Sequence, residues 1–179
     1  MARVFFALQP GAEQGAALLA DFEFRFAEHG IAVIPPGNLH ATLCFIGVVK
    51  AERLPALRDA ASRVQGRKVS LRFDALEYWA RPQIVCATAS PAGVVGADTL
   101  ARAISDEVIA AGFSPDIKPF RAHLTLARKV RAAKAAELAL PKTLQPGFVV
   151  RCEKFVLMES RRGERGSIYS VVESWPLDG

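Results

Sequence analysis

"NLHATLCFIG", residues 38–47, sets a histidine and a threonine two places apart inside an apolar, strand-like run. "RAHLTLAR", residues 121–128, repeats the arrangement. The two stretches align as P-x-x-x-H-x-T-L, from Pro36 to Leu43 and from Pro119 to Leu126, 83 residues apart. The chain has only three histidines, and two of them fall in this frame. Residues i and i+2 of a strand point to one face, roughly 6.5 to 7 Å apart. Each copy therefore presents an imidazole beside a hydroxyl. Strict alternation puts His40, Thr42, Cys44 and Ile46 on one face and Ala41, Leu43 and Phe45 on the other.

Elements spread outward from these strands. "RVFFAL" at 3–8 reads as a first strand. Ala17, Leu18, Phe22, Phe26 and Ala27 recur at helical spacing over 12–29, with Gly30 as the stop. "PPGN" at 35–38 is a turn before a strand over 39–46. Helices are expected over 51–65, 97–111 and 131–139, ending at Gly66, Gly112 and Pro141. Strands are expected over 68–78, 83–89, 121–127, 148–159 and 167–175, the last two flanking the charged hairpin "SRRGERG". Tight turns between neighbours favour antiparallel pairing in an α+β fold over a doubly wound parallel sheet. The near-repeat predicts a bilobal, pseudo-two-fold molecule. Antiparallel sheets would line a central groove, with helices outside, and residues 1–179 would form one domain.

Composition bounds the rest. The chain has 179 residues, 51% hydrophobic and 23% charged, which suits a globular domain. No apolar run approaches the ~18 residues of a membrane span, and the N-terminal run is too short for a signal-peptide core. A cytoplasmic location and a monomer are expected. Cys44, Cys86 and Cys152 fit no metal spacing and read as buried free thiols. Net charge is +5, with basic residues spread evenly along the chain. That permits a polyanionic partner without demanding one.

Two copies face to face would place two imidazoles and two hydroxyls in one cleft. One imidazole can accept a proton from water while the other protonates a leaving oxygen. The hydroxyls can donate to the nonbridging oxygens of a phosphodiester. A non-catalytic RNA-end binder and a metal-binding module using His40 and His123 compete with this reading. The intact His and Thr pairs argue against the first, and the lack of a third ligand motif against the second.

"HATLCFIG" and "HLTLAR" resemble the paired signatures of the two-histidine (2H) phosphoesterases. The nearest branch is the LigT-like RNA 2′,3′-cyclic phosphodiesterases, also called 2′–5′ RNA ligases. "RVFFALQP" resembles that family's first strand and "FVLMESRRGERGSIYSVVESWPL" its closing hairpin. The resemblance implies that His40 donates a proton to the leaving ribose oxygen and His123 activates water. It implies that Thr42 and Thr125 hold the phosphate, without metal or other cofactor. The implied substrate is an RNA end bearing a 2′,3′-cyclic phosphate, tRNA fragments included. It would be opened to a 2′-phosphate, with 2′–5′ joining as the reverse reaction. Arg128 either meets phosphate or RNA backbone at the cleft mouth or is a solvated strand end; the family's recurring arginine there favours the first. Phe5, Phe6, Tyr78 and Trp79 are expected to pack in strands. Arg161, Arg162 and Arg165 are expected at a solvated hairpin tip, and His29 at a helix C-terminus.

Overall fold

The computed structural model describes residues 1–94, 96–163 and 166–179. Eight strands form two four-stranded sheets. They are β1 (Ala2–Leu8), β2 (Ala41–Val49), β3 (Val69–Trp79), β4 (Ile84–Thr88), β5 (His123–Arg128), β6 (Lys142–Cys152), β7 (Lys154–Gly163) and β8 (Gly166–Pro176). The helices are α1 (Ala12–Ala27), α2 (Leu54–Ser62), α3 (Ala97–Ala110) and α4 (Ala132–Glu137). The first sheet runs β2-β1-β7-β8 and the second β5-β4-β3-β6, and the pairs within them are antiparallel. This is the α+β architecture expected from the repeat.

The halves are interlaced. β3, from the first repeat, pairs with β4 of the second; β7, from the second, pairs with β1 of the first. The helices follow suit. α1 reaches the second sheet, where Phe22 packs on Phe148 at 5.9 Å and Gln14 Nε2 donates to the Val149 carbonyl at 3.0 Å. α3 covers the first sheet, with Ser105 Oγ 3.4 Å from Cys44 Sγ. The segment before each motif then pairs with the opposite motif strand: Ile34 N–H donates to Leu126 O (2.8 Å) and Asp116 N–H to Phe45 O (2.9 Å). The main core runs through both lobes and includes the fully buried Phe6, Phe22, Phe26, Phe73 and Phe155. Each such ring contributes about 2 to 3 kcal/mol by transfer from water.

Helix ends follow the glycines. Gly30 (φ 62°) and Gly112 (φ 79°) take the left-handed conformation that only glycine adopts freely, just past α1 and α3. Cys44, Cys86 and Cys152 are free and buried, and burial raises all three thiols, Cys86 and Cys152 to about 12. None of the described helices is long and apolar enough to cross a membrane.

Two expectations change. The single strand over 148–159 is two strands in different sheets: β6 ends at Cys152 and β7 starts at Lys154. Continuous apolar patterning hides the switch, because both pieces face the shared core. Strict alternation along β2 also fails. Phe6 pairs with Cys44 and Ala7 with Thr42, so Leu43 is bulged out of register. The bulge turns Cys44 into the core with Leu43 and puts Phe45 on the groove face with Phe5. Arg165 lies outside the described residues. Arg161 pairs with Glu159 at 2.9 Å on the hairpin, and His29 lies 3.4 Å from Glu137 beyond the end of α1.

Because each sheet needs a strand from the other half, fragments 1–81 and 82–179 are expected to be largely unfolded alone and to regain sheet content on mixing. Far-ultraviolet circular dichroism of the separate and mixed fragments checks this. Native-like spectra from either fragment alone would contradict it.

Candidate active site

Each motif histidine is pinned by the main chain just upstream. The short 3₁₀ turn Pro36–Asn38 leads to His40, which sits one residue before β2. His40 Nδ1 lies 2.7 Å from the Asn38 carbonyl. His123, the first residue of β5, places Nδ1 3.0 Å from the Arg121 carbonyl. A carbonyl only accepts, so each Nδ1 carries the hydrogen and donates it. That fixes the tautomer and leaves both Nε2 atoms as the working nitrogens. The same device occurs twice, two residues upstream each time.

The bulge recurs too. Cys86 pairs with Thr125 but Val85 with Ala127, so Leu126 is bulged as Leu43 is. Without it, Arg128 would fall on the core face. With it, Arg128 stands opposite Ile84, on the face that carries His123 and Thr125. Arg128 Nη2 donates to the Tyr169 hydroxyl at 3.3 Å, and its guanidinium lies 5.9 Å from the Tyr169 ring centre. Tyr169 in turn meets His40 edge-on at 5.0 Å. Arg128 thus spans from one lobe to the other lobe's histidine, which favours the binding role over a solvated strand end. Thr125 is buried and Thr42 half-buried. Among the described residues neither hydroxyl has a hydrogen-bond partner, so both are available to an anion.

Surroundings distinguish the two imidazoles. His40 is flanked by Phe5 (4.9 Å) and Tyr169. Burial lowers its pKa to about 4; the Asn38 carbonyl works against this, and the charges of Arg128 and His123 add to it. His123 sits against Trp79 at 4.6 Å. Burial lowers it as well, with the Arg121 carbonyl raising it, the Arg121 and Arg128 charges lowering it, and the Glu77 carboxylate raising it.

Glu77, with Thr88, Arg121 and Asn38, is the part that sequence reasoning missed. Glu77 accepts from the Thr88 hydroxyl (2.9 Å), the Trp79 indole (2.8 Å) and Arg121 Nη2 (2.8 and 2.7 Å). Burial raises this carboxyl, but those donors outweigh it and hold it below the usual range. Arg121 also lies 4.9 Å over the Trp79 ring. Arg121 is therefore the cationic partner of Trp79, and Trp79 walls the site. Phe5 is buried as expected, but in a groove-side cluster with Ala7, Val156 and Met158, apart from the main core that holds Phe6. Asn38 is buried and ties the first motif to β8: its Nδ2 donates to Ser167 O (3.0 Å) and its Oδ1 accepts from Tyr169 N–H (3.2 Å). The available signal for Glu77 was an acid two residues before a tryptophan in a strand that also carries Asp74.

The family model described as LigT like Phosphoesterase matches residues 7–86 and 91–169, and the two segments end 83 residues apart, the offset of the motifs. The chain belongs to that family. It is 30% identical over 186 residues to an RNA 2′,3′-cyclic phosphodiesterase of Thermus thermophilus, covering 99% of this chain and 91% of the relative. It is 27% identical over 179 residues to the protein of that name from Escherichia coli, covering 98% and 96%. The crystal structure of E. coli LigT complexed with 3′-AMP superposes with a TM-score of 0.80 at 24% identity, covering 98% of each chain.

Two outcomes follow from the electrostatics. Removing the Glu77 charge as Glu77→Gln should lower the His123 pKa further, read from its imidazole resonances in a pH titration. An unchanged or raised value would separate Glu77 from His123. For His40 the folded value of about 4 lies below the ordinary 6.5. The unfolded chain therefore binds the extra proton, and stability falls as pH drops from 6.5 towards 4. The loss is on the order of 3 kcal/mol. Urea denaturation across that window should show a shallower loss in His40→Gln than in the wild type.

Proposed function

We propose that the groove hydrolyses RNA 3′-terminal 2′,3′-cyclic phosphates to 2′-phosphates by two-histidine acid–base catalysis without metal, acting as a single bilobal monomer on RNA ends in the cytoplasm. The observation that carries this is the pair of Nδ1-anchored imidazoles, each two residues from a threonine hydroxyl that has no hydrogen-bond partner among the described residues. The names of the E. coli and T. thermophilus relatives support the reaction and the RNA substrate.

In the reaction, Thr42 and Thr125 donate to the nonbridging oxygens and Arg128 balances their charge. His123 Nε2 takes a proton from water as its oxygen attacks phosphorus. The bond from phosphorus to the ribose 3′-oxygen breaks, and His40 Nε2–H gives that oxygen its proton. The phosphate stays on the 2′-oxygen. His40 is neutral in the empty groove at pH 7, so it must gain its proton as substrate binds. The phosphate anion supplies the attraction, since an opposite charge nearby favours imidazolium. Glu77 assists the other histidine, because a carboxylate stabilises the cation that His123 becomes. With the 5′-hydroxyl of a second RNA end in place of water, the same groups join two ends: His123 takes the hydroxyl proton as its oxygen bonds to phosphorus, the bond to the 3′-oxygen breaks, His40 protonates that oxygen, and a 2′–5′ linkage remains.

The test uses an oligoribonucleotide ending in a 2′,3′-cyclic phosphate, with chelator present. The wild type should yield the 2′-phosphate. His40→Ala and His123→Ala should each lower kcat by at least about a hundredfold. Thr125→Val, which keeps the shape and removes the donor, should lower kcat/KM about tenfold or more. Tight binding with no turnover by the wild type would instead leave an RNA-end binder.

A further inference from the structure

A half-open pocket of about 210 Å³ lies at the end of β5, bordered by residues 30–32 and 128–131 and by Lys134. Four of its lining residues are cations: Arg128, Lys129, Arg131 and Lys134. One carboxylate offsets them, Glu137, which pairs with Lys134 at 3.0 Å and also faces His29. Among the described residues, Arg128 and Arg131 make no ion pair. Arg128 joins this pocket to the catalytic groove, because its charge is felt at both His40 and His123. The pocket is therefore one arginine side chain away from the two motif histidines.

The matching positions of the first repeat carry no cation. At the 83-residue offset, the positions matching Arg128, Lys129, Arg131 and Lys134 are Phe45, Ile46, Val48 and Ala51. The bulge at Leu43 recurs at Leu126, but beyond it the rims differ: β2 runs on to Val49, whereas β5 ends at Arg128 and the chain turns into α4. Lys129 also holds φ 58°, a left-handed conformation that a side chain disfavours. A larger cavity of about 320 Å³, near Gly66 and Leu100, contains neither motif histidine and does not bear on this chemistry.

We propose that this basic pocket binds the phosphodiester immediately 5′ to the terminal nucleotide, so that the enzyme prefers an RNA chain to a cyclic mononucleotide. This rests on the proposed activity and deepens it. The cyclic phosphate engages Thr42, Thr125 and one side of Arg128. The preceding phosphate sits against the pocket, between Arg128 and the Arg131 and Lys134 side chains. A cyclic mononucleotide has no group to place there. Across the groove the Arg3 guanidinium lies 4.9 Å over the Phe45 ring, and the positions matching the four cations are Phe45, Ile46, Val48 and Ala51, so the cluster of four cations is found on the β5 rim.

The test compares adenosine 2′,3′-cyclic phosphate with the dinucleotide ApA ending in a 2′,3′-cyclic phosphate. The variant is Arg131→Ala with Lys134→Ala, with Arg131→Glu alone as an independent second variant; neither position takes part in the chemistry. Both variants should raise KM for the dinucleotide about tenfold, leave its kcat unchanged, and leave kcat/KM for the mononucleotide within about twofold. For the double variant, the salt dependence of dinucleotide binding should become shallower by about 0.7 in log–log slope, as expected for one phosphate lost. Equal losses on both substrates, or no loss on the dinucleotide, would overturn the proposal. If the wild type turned over neither substrate, the proposed activity would fail while the pocket stayed testable. Fluorescence anisotropy with labelled ApA 2′-phosphate would then decide it: weaker binding by the double variant keeps the pocket, and equal binding removes it.

Discussion

The active groove depends on an exchange of strands. β3 belongs in sequence to the first repeat but completes the second sheet beside β4, and β7 does the reverse beside β1. Neither sheet is whole without the other half of the chain. The bridges Ile34–Leu126 and Asp116–Phe45 then tie each motif strand to the segment preceding the other motif. A groove between two freely hinged lobes would let the histidines drift apart. Here their separation is set by backbone hydrogen bonds and by one core shared across both lobes, which suits acid–base chemistry that tolerates little misplacement.

Much of this could be read from the sequence because it was written twice. Fold class, helix stops at Gly30 and Gly112, and the pairing of His40 with Thr42 and His123 with Thr125 follow from periodicity and from one aligned frame. What stayed hidden is what patterning does not encode. Leu43 and Leu126 look like ordinary core residues of a strand, and a bulge leaves no mark in composition. Yet those two bulges decide that Phe45 and Arg128, not Cys44 and Ala127, face the groove. The turn at Glu153 separates two strands that look like one apolar run over 148–159. Glu77 is legible only in three dimensions, because Thr88 and Arg121 reach it from other strands or loops.

The departure from symmetry carries as much meaning as the symmetry. Both imidazoles share one anchoring device, so the backbone treats them alike. Their neighbours do not. His40 lies among Phe5 and Tyr169, with Arg128 and the other imidazole as its nearest like charges. His123 lies beside Trp79 with Glu77 within electrostatic reach. In the proposed reaction, the half-buried aromatic setting makes protonation of His40 conditional on a bound anion, so an acid in that place is armed by substrate. In the same proposal, the carboxylate near His123 stabilises the cation formed when water gives up its proton. Duplication accounts for two equivalent groups, and the surrounding side chains set them in different electrostatic surroundings. The same logic extends to the rims, where Phe45 and Arg128 follow matching bulges at Leu43 and Leu126: an aromatic ring faces the groove on one side and a guanidinium on the other.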